Sequence, residues 1–565
     1  MAGGIMITNI MAGLLAIGLI GILKLRVRYD RMFSVMMFLA TAYIFYIYMN
    51  LDFSGIESGF SFLWEKTKIG DITIDFYPSD LSNLMIKPIF FISVYALLSN
   101  NIFRYEERIM PLNALIILNL IVLSLIICAK NYVQLMTMIF VSDIIGYLTI
   151  KNADSLRKYV IYNFFADMCL FMLLAMACGK IQSLDITRLL GYEQIGRHKD
   201  FVGICAALAI FIKIGCFPFY SYLTDIKTAR FSRIIIANVL GTPLSGILML
   251  LKLHNLLFVS NLMPLIYQIV TVATFITGII GFVHSRNMLK KVISLDLALR
   301  GMLMQILWIN GFEWNRYTVF YLIGIYLFNH LFYEIFIYQK REVDIVNMPS
   351  VIESNERALK FLLFRETLLM SLSVWLVWQI AWQYDDISIV LGITILLAAV
   401  SIVLHHIYKT PLKNSQVIVC GKEKNIRQSI FECTNMLVLG MGFFYLQPEI
   451  SSIIAIAIIF LVMIASSLGK PFYQIYAKKD EDKNDLVKNL FFYIIAVPLT
   501  YLSRRCWLFI DLILSEKIIT AAISAVGYGG ERLFLQLNGQ KYRTPIRALV
   551  LGIILCLLCY HQGGQ

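Results

Sequence analysis

Long apolar runs recur from one end of this chain to the other. Each run of roughly 17–25 residues is long enough to cross the hydrocarbon core of a bilayer, about 30 Å thick, as an α-helix. We predict about sixteen spans of this kind. They cover residues 5–24, 31–49, 81–98, 111–129, 133–150, 158–178, 201–223, 233–257, 262–284, 291–310, 317–339, 361–382, 387–406, 430–446, 451–468 and 544–560. The composition agrees, because 59% of the residues are hydrophobic and only 15% are charged, whereas soluble proteins keep about a quarter of their residues charged. The sequence therefore predicts an all-α integral membrane protein.

The basic residues indicate how the chain is oriented. The net charge of +13 could suggest nucleic-acid binding, but the lysines and arginines lie in short connectors between apolar runs and not on a soluble face. Loops after odd-numbered spans are basic, as at Lys24 and Arg26, whereas loops after even-numbered spans are poor in Lys and Arg, as at residues 383–386. By the positive-inside rule, we expect the basic loops to face the cytoplasm or matrix and both termini to lie on the opposite, electrically positive side.

Two segments do not fit a membrane span. Residues 50–80 are polar, with turn residues and the alternating stretch DITIDFYP, which favours a small β-hairpin on the outer side. Residues 478–540 begin with the charged run AKKDEDKNDLVK and continue into apolar residues punctuated by charges. We interpret part of this segment as an amphipathic helix that lies along the membrane surface or against neighbouring helices.

Three charged residues stand in the middle of apolar runs: Asp143, Asp167 and Lys213. An ionisable group at membrane depth costs several kcal/mol unless it is paired or hydrated, so each is a candidate functional residue. Pro218 follows Lys213 by five residues. A proline removes an amide donor, so we expect it to break or kink the predicted span 201–223 and to leave free carbonyl groups near Lys213.

Four further ionisable residues join this set. His330 and Glu334 are four residues apart, on one face of a predicted helix, and Arg365 and Glu366 begin another apolar run. Two interpretations stay open for all seven charged residues. They form an ion pathway, or they pair to fix helix packing, with charges at helix ends reaching the interface. A single histidine such as His330 is more often a hydrogen-bonded packing residue.

A buried acid and a buried lysine can transfer protons without a cofactor. Burial disfavours the charged form of each group, and the proximity of an opposite charge favours it, so making and breaking the pair switches proton occupancy. The sequence has no GxGxxG, P-loop, Cys-rich cluster or paired-His haem pattern, so we expect no cofactor. Cys556 and Cys559 form a CxxC without a second pair or nearby histidines, and we do not expect a metal or redox site there.

Several motifs of the first half resemble a known family. The stretch FIKIGCFPFYSYLTD is similar to its Lys-x-x-x-Phe-Pro-x-x-x-Trp-Leu-Pro-Asp segment, FVSDIIGY to its Trp-Glu-x-x-Gly helix, and NFFAD to its Asn-Arg-x-Gly-Asp element. The matched positions are Asp143, Asn163, Asp167, Lys213, Phe217, Pro218, Leu223, Asp225, Gly246, Lys252 and His254. The family is that of the antiporter-like subunits of respiratory complex I and of Mrp-type cation/proton antiporters. Within it, the chain is most similar to the large distal subunit of complex I, subunit L in bacteria and subunit 5 in mitochondria.

The second half carries weaker matches in the same order. KKV at 290–292, NHLFYE at 329–334 and FRETLL at 364–369 resemble family elements, and PLTYLSRRCWLFID resembles the start of the distal subunit's lateral helix. The resemblance implies two inverted five-helix repeats and a C-terminal lateral amphipathic helix. The implied domains are 1–110 (N-terminal helices with the outer loop), 111–257 (first repeat), 258–407 (second repeat), 408–477 (extra helices), 478–540 (lateral helix) and 541–565 (C-terminal anchor).

The chain departs from the family pattern at positions that bear on mechanism. Asn238 replaces a histidine, Glu334 and Arg365 replace lysines, and Phe164 replaces an arginine. Thr224 and Ala358 stand where the family has prolines. Arginine holds its proton far more tightly than lysine does, so Arg365 is a poor proton carrier. The resemblance therefore implies a first half-channel at Asp143 and Lys213 and an altered second one.

The resemblance implies a proton-translocating membrane subunit of a respiratory NADH:quinone oxidoreductase, without a redox centre of its own, in a bacterial or mitochondrial inner membrane. Its expected partners are other membrane subunits and the lipid bilayer, and no nucleic acid. Two alternatives remain: a subunit of a cation/proton antiporter or another ion-coupled transporter complex, and a non-conducting structural paralogue within such an assembly.

Overall fold

A computed structural model of the chain describes residues 2–22, 27–50, 60–67, 70–76, 80–103, 109–150, 153–176, 179, 183–186, 199–224, 240–257, 260, 262–284 and 288–309. The predictions for His330, Glu334, Arg365, Glu366 and the lateral helix fall outside these residues, as do the last six predicted spans.

The described residues are mostly helical. The helices are α1 (Ala2–Ile22), α2 (Val27–Met49), α3 (Asp80–Phe103), α4 (Met110–Cys128), α5 (Tyr132–Thr149), α6 (Ala153–Met176), α7 (Lys199–Ile214), α8 (Ser221–Thr224), α9 (Thr242–Leu257), α10 (Met263–His284) and α11 (Met288–Ile309). Two antiparallel strands, β1 (Phe60–Thr67) and β2 (Gly70–Phe76), connect α2 to α3.

Five segments within the described helices are long and apolar enough to cross a membrane: Asp30–Met49, Met110–Cys128, Tyr132–Thr149, Ser155–Met176 and Met263–Gly281. The chain is therefore a multi-pass, mostly helical membrane protein, as its composition predicts. The total of sixteen spans and the two inverted repeats extend beyond the described residues and stay predictions.

The predicted span 201–223 is not one continuous helix. The structure ends α7 at Ile214 and starts the short α8 at Ser221. Gly215 has a φ of 71°, a left-handed conformation that favours glycine. The interruption therefore begins at Gly215, ahead of Pro218.

The hairpin predicted between residues 50 and 80 is confirmed, and it is fastened to α5. The amide of Asp75 donates to Gln134 Oε1 over 2.8 Å, and Gln134 Nε2 donates back to the carbonyl oxygen of Asp75 over 2.8 Å. Asn131, the N-cap residue of α5, donates to the carbonyl oxygen of Asp71. These side-chain-to-backbone bonds hold the hairpin at the N-terminal end of α5.

A carboxylate on α2 caps the buried helix α4. Asp30 accepts hydrogen bonds from the backbone amides of Ile109 and Met110, at 2.8 Å and 3.3 Å. The first amides of a helix have no partner inside the helix, and the helix dipole favours a negative charge at that end. Asp30 thus ties the start of α2 to the start of α4.

The described residues divide at residue 273 into two compact units, the first ending at Ala273 and the second beginning at Thr274. In the second unit, the part of α10 from Thr274 onwards is in close contact with α11. A Cβ atom at Gly278 would lie 2.3 Å from the backbone nitrogen of Ala298. Only glycine allows the two helices to approach this closely.

Candidate functional site: a buried lysine between two aspartates

The side chains of Lys213, Asp143 and Asp167 meet inside the first unit. Lys213 Nζ donates to Asp167 Oδ1 over 2.6 Å and forms a second hydrogen-bonded ion pair with Asp143 Oδ2. The lysine is fully buried, and the side chain of each aspartate is only 9% exposed. With all three groups ionised, this Asp143–Lys213–Asp167 cluster carries a net charge of −1. An excess charge at membrane depth is costly, so the cluster has a strong tendency to take up a cation, of which a proton is the smallest.

Three different helices supply the cluster: α5 carries Asp143, α6 carries Asp167 and α7 carries Lys213. Lys213 lies in the last turn of α7, where the carbonyl end of the helix dipole favours a positive charge. The helix ends there because the amide of Gly215 donates to Ile212 and the amide of Cys216 donates to Phe211, the pattern of a Schellman motif. The broken helix therefore presents the ammonium group to two carboxylates.

Tyr159 of α6 fixes the turn of α5 that carries Asp143. Its hydroxyl donates to the main-chain carbonyl oxygen of Asp143 over 3.1 Å, and Thr242 Oγ1 at the start of α9 approaches the same hydroxyl at 3.4 Å. The hydroxyl lies directly on Gly146, where a Cβ atom would stand 2.1 Å away from it. Gly146 therefore has to be glycine for Tyr159 to reach this carbonyl group.

Aromatic residues close the site around the helix break. Tyr222 of α8 packs edge-on against Tyr159, with ring centroids 5.4 Å apart, and Tyr162 packs edge-on against Phe219 at 5.8 Å. The hydroxyls of Tyr162 and Ser221 lie 3.1 Å apart. The helix break that follows Lys213 thus combines packed aromatic rings with hydroxyl groups that can form hydrogen bonds.

The structure brings together three of the residues selected from the sequence, Asp143, Asp167 and Lys213, and places Pro218 in the interruption between α7 and α8. The peptide bond before Pro218 is cis. The remaining candidates, His330, Glu334, Arg365 and Glu366, lie outside the described residues.

Sequence reasoning missed a second buried ion pair. In the second unit, Asp296 and Arg300 are 3% and 0% exposed and form a salt bridge within α11. Their signal was available, because an acid four residues before an arginine lies on the same helix face.

Within the described residues, no group of three or more His, Cys, Asp or Glu side chains is arranged to hold a metal ion. Cysteines at four described positions, Cys128, Cys169, Cys205 and Cys216, are buried and form no disulfide with one another, and buried cysteine side chains pack as small apolar groups.

No protein-family model matches the sequence, and no curated protein matches it. Solved structures do resemble it. A chain of the Mrp complex from Dietzia sp. DQ12-45-1b superposes with a TM-score of 0.64 at 13% identity, covering 99% of this chain and 62% of that one. This protein thus spans less than two thirds of the length of that Mrp chain.

Two further solved structures also resemble this chain. A chain of respiratory complex I from Thermus thermophilus with bound NADH has a TM-score of 0.59 at 15% identity, covering 82% of this chain and 100% of that chain. A chain of the membrane-bound sulfane sulfur reductase, an archaeal respiratory membrane complex, has a TM-score of 0.59 at 13% identity, covering 81% of this chain and 99% of that chain. All three neighbours are antiporter-like subunits. The chain has the antiporter-like subunit fold.

This result confirms, at the level of fold, the resemblance first drawn from short motifs. Within the antiporter-like fold, the Asp143–Lys213–Asp167 cluster lies at the broken helix formed by α7 and α8. Identities of 13–15% establish the fold alone, so function is argued from the cluster itself.

Proposed function

We propose that this protein is a proton-translocating, antiporter-like membrane subunit of a respiratory NADH:quinone oxidoreductase of the complex I type. The observation that carries the proposal is the fully buried Lys213, which bonds to two carboxylates from two different helices. A purely structural ion pair needs one acid for one base. A lysine shared by two acids has two alternative partners, and that is the minimum requirement for a switch.

The second carboxylate supplies the proton chemistry. When one aspartate takes up a proton, the cluster becomes neutral and Lys213 keeps its ion pair with the other aspartate. Asp143 Oδ1 is a buried oxygen atom without a hydrogen-bond partner among the described residues, so Asp143 has an acceptor available for that proton. Release of the proton restores the negative cluster. Repeated uptake and release from opposite sides of the membrane would move protons without any cofactor in this chain.

A cation/proton antiporter is the second candidate function. The observation that favours it is the Mrp-complex chain, which covers 99% of this protein, whereas the complex I chain covers 82%. The same cluster fits either assembly, because both would need carboxylates within the membrane that can take up and release a cation. The third candidate, a non-conducting structural paralogue, is favoured by the substitutions at Asn238, Glu334 and Arg365.

Co-purification distinguishes the assemblies. The tagged full-length chain is extracted in a mild detergent, and every co-purifying protein is identified by mass spectrometry. Recovery with flavin and iron–sulfur subunits supports the complex I assignment. Recovery with small antiporter subunits excludes it and favours the antiporter. Recovery of the chain alone also excludes it and makes ion-flux assays in liposomes the next test.

Replacement of Lys213 tests conduction. In membranes where the assembly forms normally, we expect Lys213→Ala to lower the number of protons pumped per electron pair, because the site loses its switching base. The matched control is Lys130→Ala, which removes an exposed lysine near the N-terminal end of α5. Normal assembly with unchanged pumping in Lys213→Ala would favour the structural paralogue.

A further inference from the structure

Tyr159 is a buried tyrosine whose hydroxyl bonds to the main chain of a cluster residue. The residue is 2% exposed, and its hydroxyl donates to the carbonyl oxygen of Asp143 over 3.1 Å. A carbonyl group inside a helix already accepts from the amide four residues later, so the tyrosine uses the second lone pair of this oxygen. The bond is therefore not needed to form α5. It ties α5 to α6 at the residue that carries the carboxylate.

Thr242 of α9 bonds to the same hydroxyl from another side. Its Oγ1 donates to the Tyr159 hydroxyl over 3.4 Å, and the threonine is fully buried. Gly246 follows one turn later on the same face of α9 and lies against the backbone of Lys213. The helix α9 therefore touches the base of the ion pair through Gly246. It reaches the acid, Asp143, through Thr242 and Tyr159.

The short side chain of Asp143 makes the backbone position important. Asp143 Oδ2 bonds to Lys213 Nζ, and both residues are buried. An aspartate has a single methylene group and two side-chain torsion angles between its main chain and its carboxylate. A shift of α5 away from α7 is therefore not absorbed by the side chain and lengthens the ion pair. The attraction between the two charges weakens as their separation grows.

A second tyrosine makes the same kind of bond at a place where no charge has to be positioned. Tyr132 of α5 donates its hydroxyl to the carbonyl oxygen of Leu170 on α6, also over 3.1 Å. Tyr132 is 1% exposed, and Leu170 is an apolar residue outside the cluster. The two tyrosines thus join the same two helices by bonds of the same length. They differ in the residue whose main chain they hold.

We infer that Tyr159 is a positioning residue for the proton chemistry of the Asp143–Lys213–Asp167 cluster, and that Thr242 holds its hydroxyl in place. Tyr159 fixes the main chain of Asp143 at the place from which a short carboxylate reaches Lys213 Nζ. This inference rests on the proposed function. Tyr159 itself carries no proton to the cluster, since its hydroxyl proton is directed at a main-chain carbonyl group.

Rescue by a longer carboxylate tests the positioning directly. Tyr159→Phe removes the hydroxyl and keeps the ring, in the full-length chain within its assembly in sealed vesicles. Misplacing a reacting group by about 1 Å can lower a rate about 100-fold. We expect proton flux, followed with a pH-sensitive dye, to fall about tenfold in Tyr159→Phe. Asp143→Glu alone should also lower flux, because the longer side chain overshoots while the backbone is held.

The double variant Tyr159→Phe/Asp143→Glu should recover flux to within about twofold of the wild type, because the added methylene spans the distance that loss of the bond opens. A tyrosine that only packs would give no such rescue. Wild-type flux in an assembled Tyr159→Phe variant would overturn the proposal, and so would a double variant no faster than Tyr159→Phe.

Tyr132→Phe is the matched control. It removes a hydroxyl bond of the same length between the same two helices, so we expect a slightly lower melting temperature and unchanged flux. If Tyr159→Phe fails to assemble, as judged by yield and melting temperature, Thr242→Val makes the same test by removing the group that holds the hydroxyl. Flux should fall in Thr242→Val and recover in Thr242→Val/Asp143→Glu, and unchanged flux in Thr242→Val would count against the proposal.

A cycle of melting temperatures separates this inference from the proposed function, because it needs no proton flux. Asp143→Asn removes the charge that has to be positioned. Tyr159→Phe should therefore lower the melting temperature in the Asp143→Asn background by about half as much as in the wild type, or less. Equal falls in the two backgrounds would show that the hydroxyl only supports packing, which overturns the proposal. Absence of Lys213-dependent flux in the wild-type assembly would instead count against the proposed function.

Discussion

Gly246 of α9 lies directly against the backbone of Lys213. A Cβ atom at position 246 would stand 2.7 Å from the carbonyl carbon of Lys213 and 2.6 Å from the backbone nitrogen of Ile214. Backbone atoms cannot move aside as a flexible side chain can, so any larger residue would have to push α9 and α7 apart. The position of the lysine in the membrane is therefore set by a glycine on another helix.

We predict that Gly246→Ala displaces the last turn of α7 and weakens the cluster. Overpacking of a tight interior costs about 1–3 kcal/mol, and contact with backbone is the least forgiving case. The melting temperature in mild detergent should fall, and proton flux should fall with it. Gly13→Ala is the control, because its Cβ atom would meet only the Ile44 side chain at 3.5 Å, an ordinary contact. Equal melting temperatures for the two variants would show that α9 does not press on Lys213.

The motif around Gly246 illustrates what sequence could and could not predict. The sequence marked Asp143, Asp167 and Lys213 because each is a charge inside an apolar run, and those three meet in the structure. Gly246 also matches a family pattern, but no local pattern shows that this glycine contacts Lys213 and Ile214, which stand 33 and 32 positions earlier. Contacts between helices depend on how the helices pack, and a hydropathy pattern does not contain that information.

A second prediction concerns the charge balance of the cluster. Asp143→Asn or Asp167→Asn changes the net charge of the cluster from −1 to zero and keeps one ion pair. Lys213→Met instead leaves two carboxylates close together without their cation. Breaking a buried pair by removing one partner costs about 3–5 kcal/mol. We therefore expect the melting temperature to fall most in Lys213→Met and distinctly less in either Asp→Asn variant.

The combined variant Asp143→Asn/Asp167→Asn/Lys213→Met is the control for this ordering. It removes every charge from the cluster while keeping similar side-chain volumes. We expect it to recover most of the stability lost in Lys213→Met, and to remain inactive in proton transport. A triple variant as unstable as Lys213→Met would show that the loss comes from packing and not from uncompensated charge.

The cap on α4 leads to a third prediction. Asp30 holds two orphan amides at the start of a helix that is mostly buried. Loss of a capping side chain costs about 0.5–2 kcal/mol. Asp30→Ala should lower the melting temperature, and Asp30→Asn should lower it less, because the amide oxygen still accepts a hydrogen bond. Asp71→Ala, at an exposed position of β2, should leave it unchanged. Equal effects of Asp30→Ala and Asp71→Ala would argue against the cap.

Asp30 also marks a limit of sequence reasoning. It stands next to Arg31 near the beginning of a predicted span and reads as an ordinary residue at the membrane boundary. Asp30 caps α4 by accepting from the amides of Ile109 and Met110. The β-hairpin and the helix α3 separate these two residues from Asp30 in the sequence. The sequence predicted the hairpin itself, because alternation and turn residues are local signals.

The ion pair in α11 supports a fourth prediction, about residues that the sequence motifs did not select. Asp296 and Arg300 are buried within one apolar helix, so replacement of either removes the ion-pair partner of the other at membrane depth. We expect Arg300→Met alone and Asp296→Val alone each to lower the melting temperature strongly. Replacement of a whole buried pair by apolar residues is often neutral, so the double variant Asp296→Val/Arg300→Met should be close to the wild type in stability.

The double variant also separates two roles for this pair. If the pair only fixes the packing of α11, the stable double variant transports protons at the wild-type rate. If it belongs to an ion pathway of the second unit, the same variant melts normally and loses flux. A double variant as unstable as the worse single variant would contradict the prediction itself, because it would mean that Asp296 and Arg300 do not compensate each other. The melting temperature is therefore measured first. Proton flux is interpreted only for a double variant whose melting temperature is close to that of the wild type.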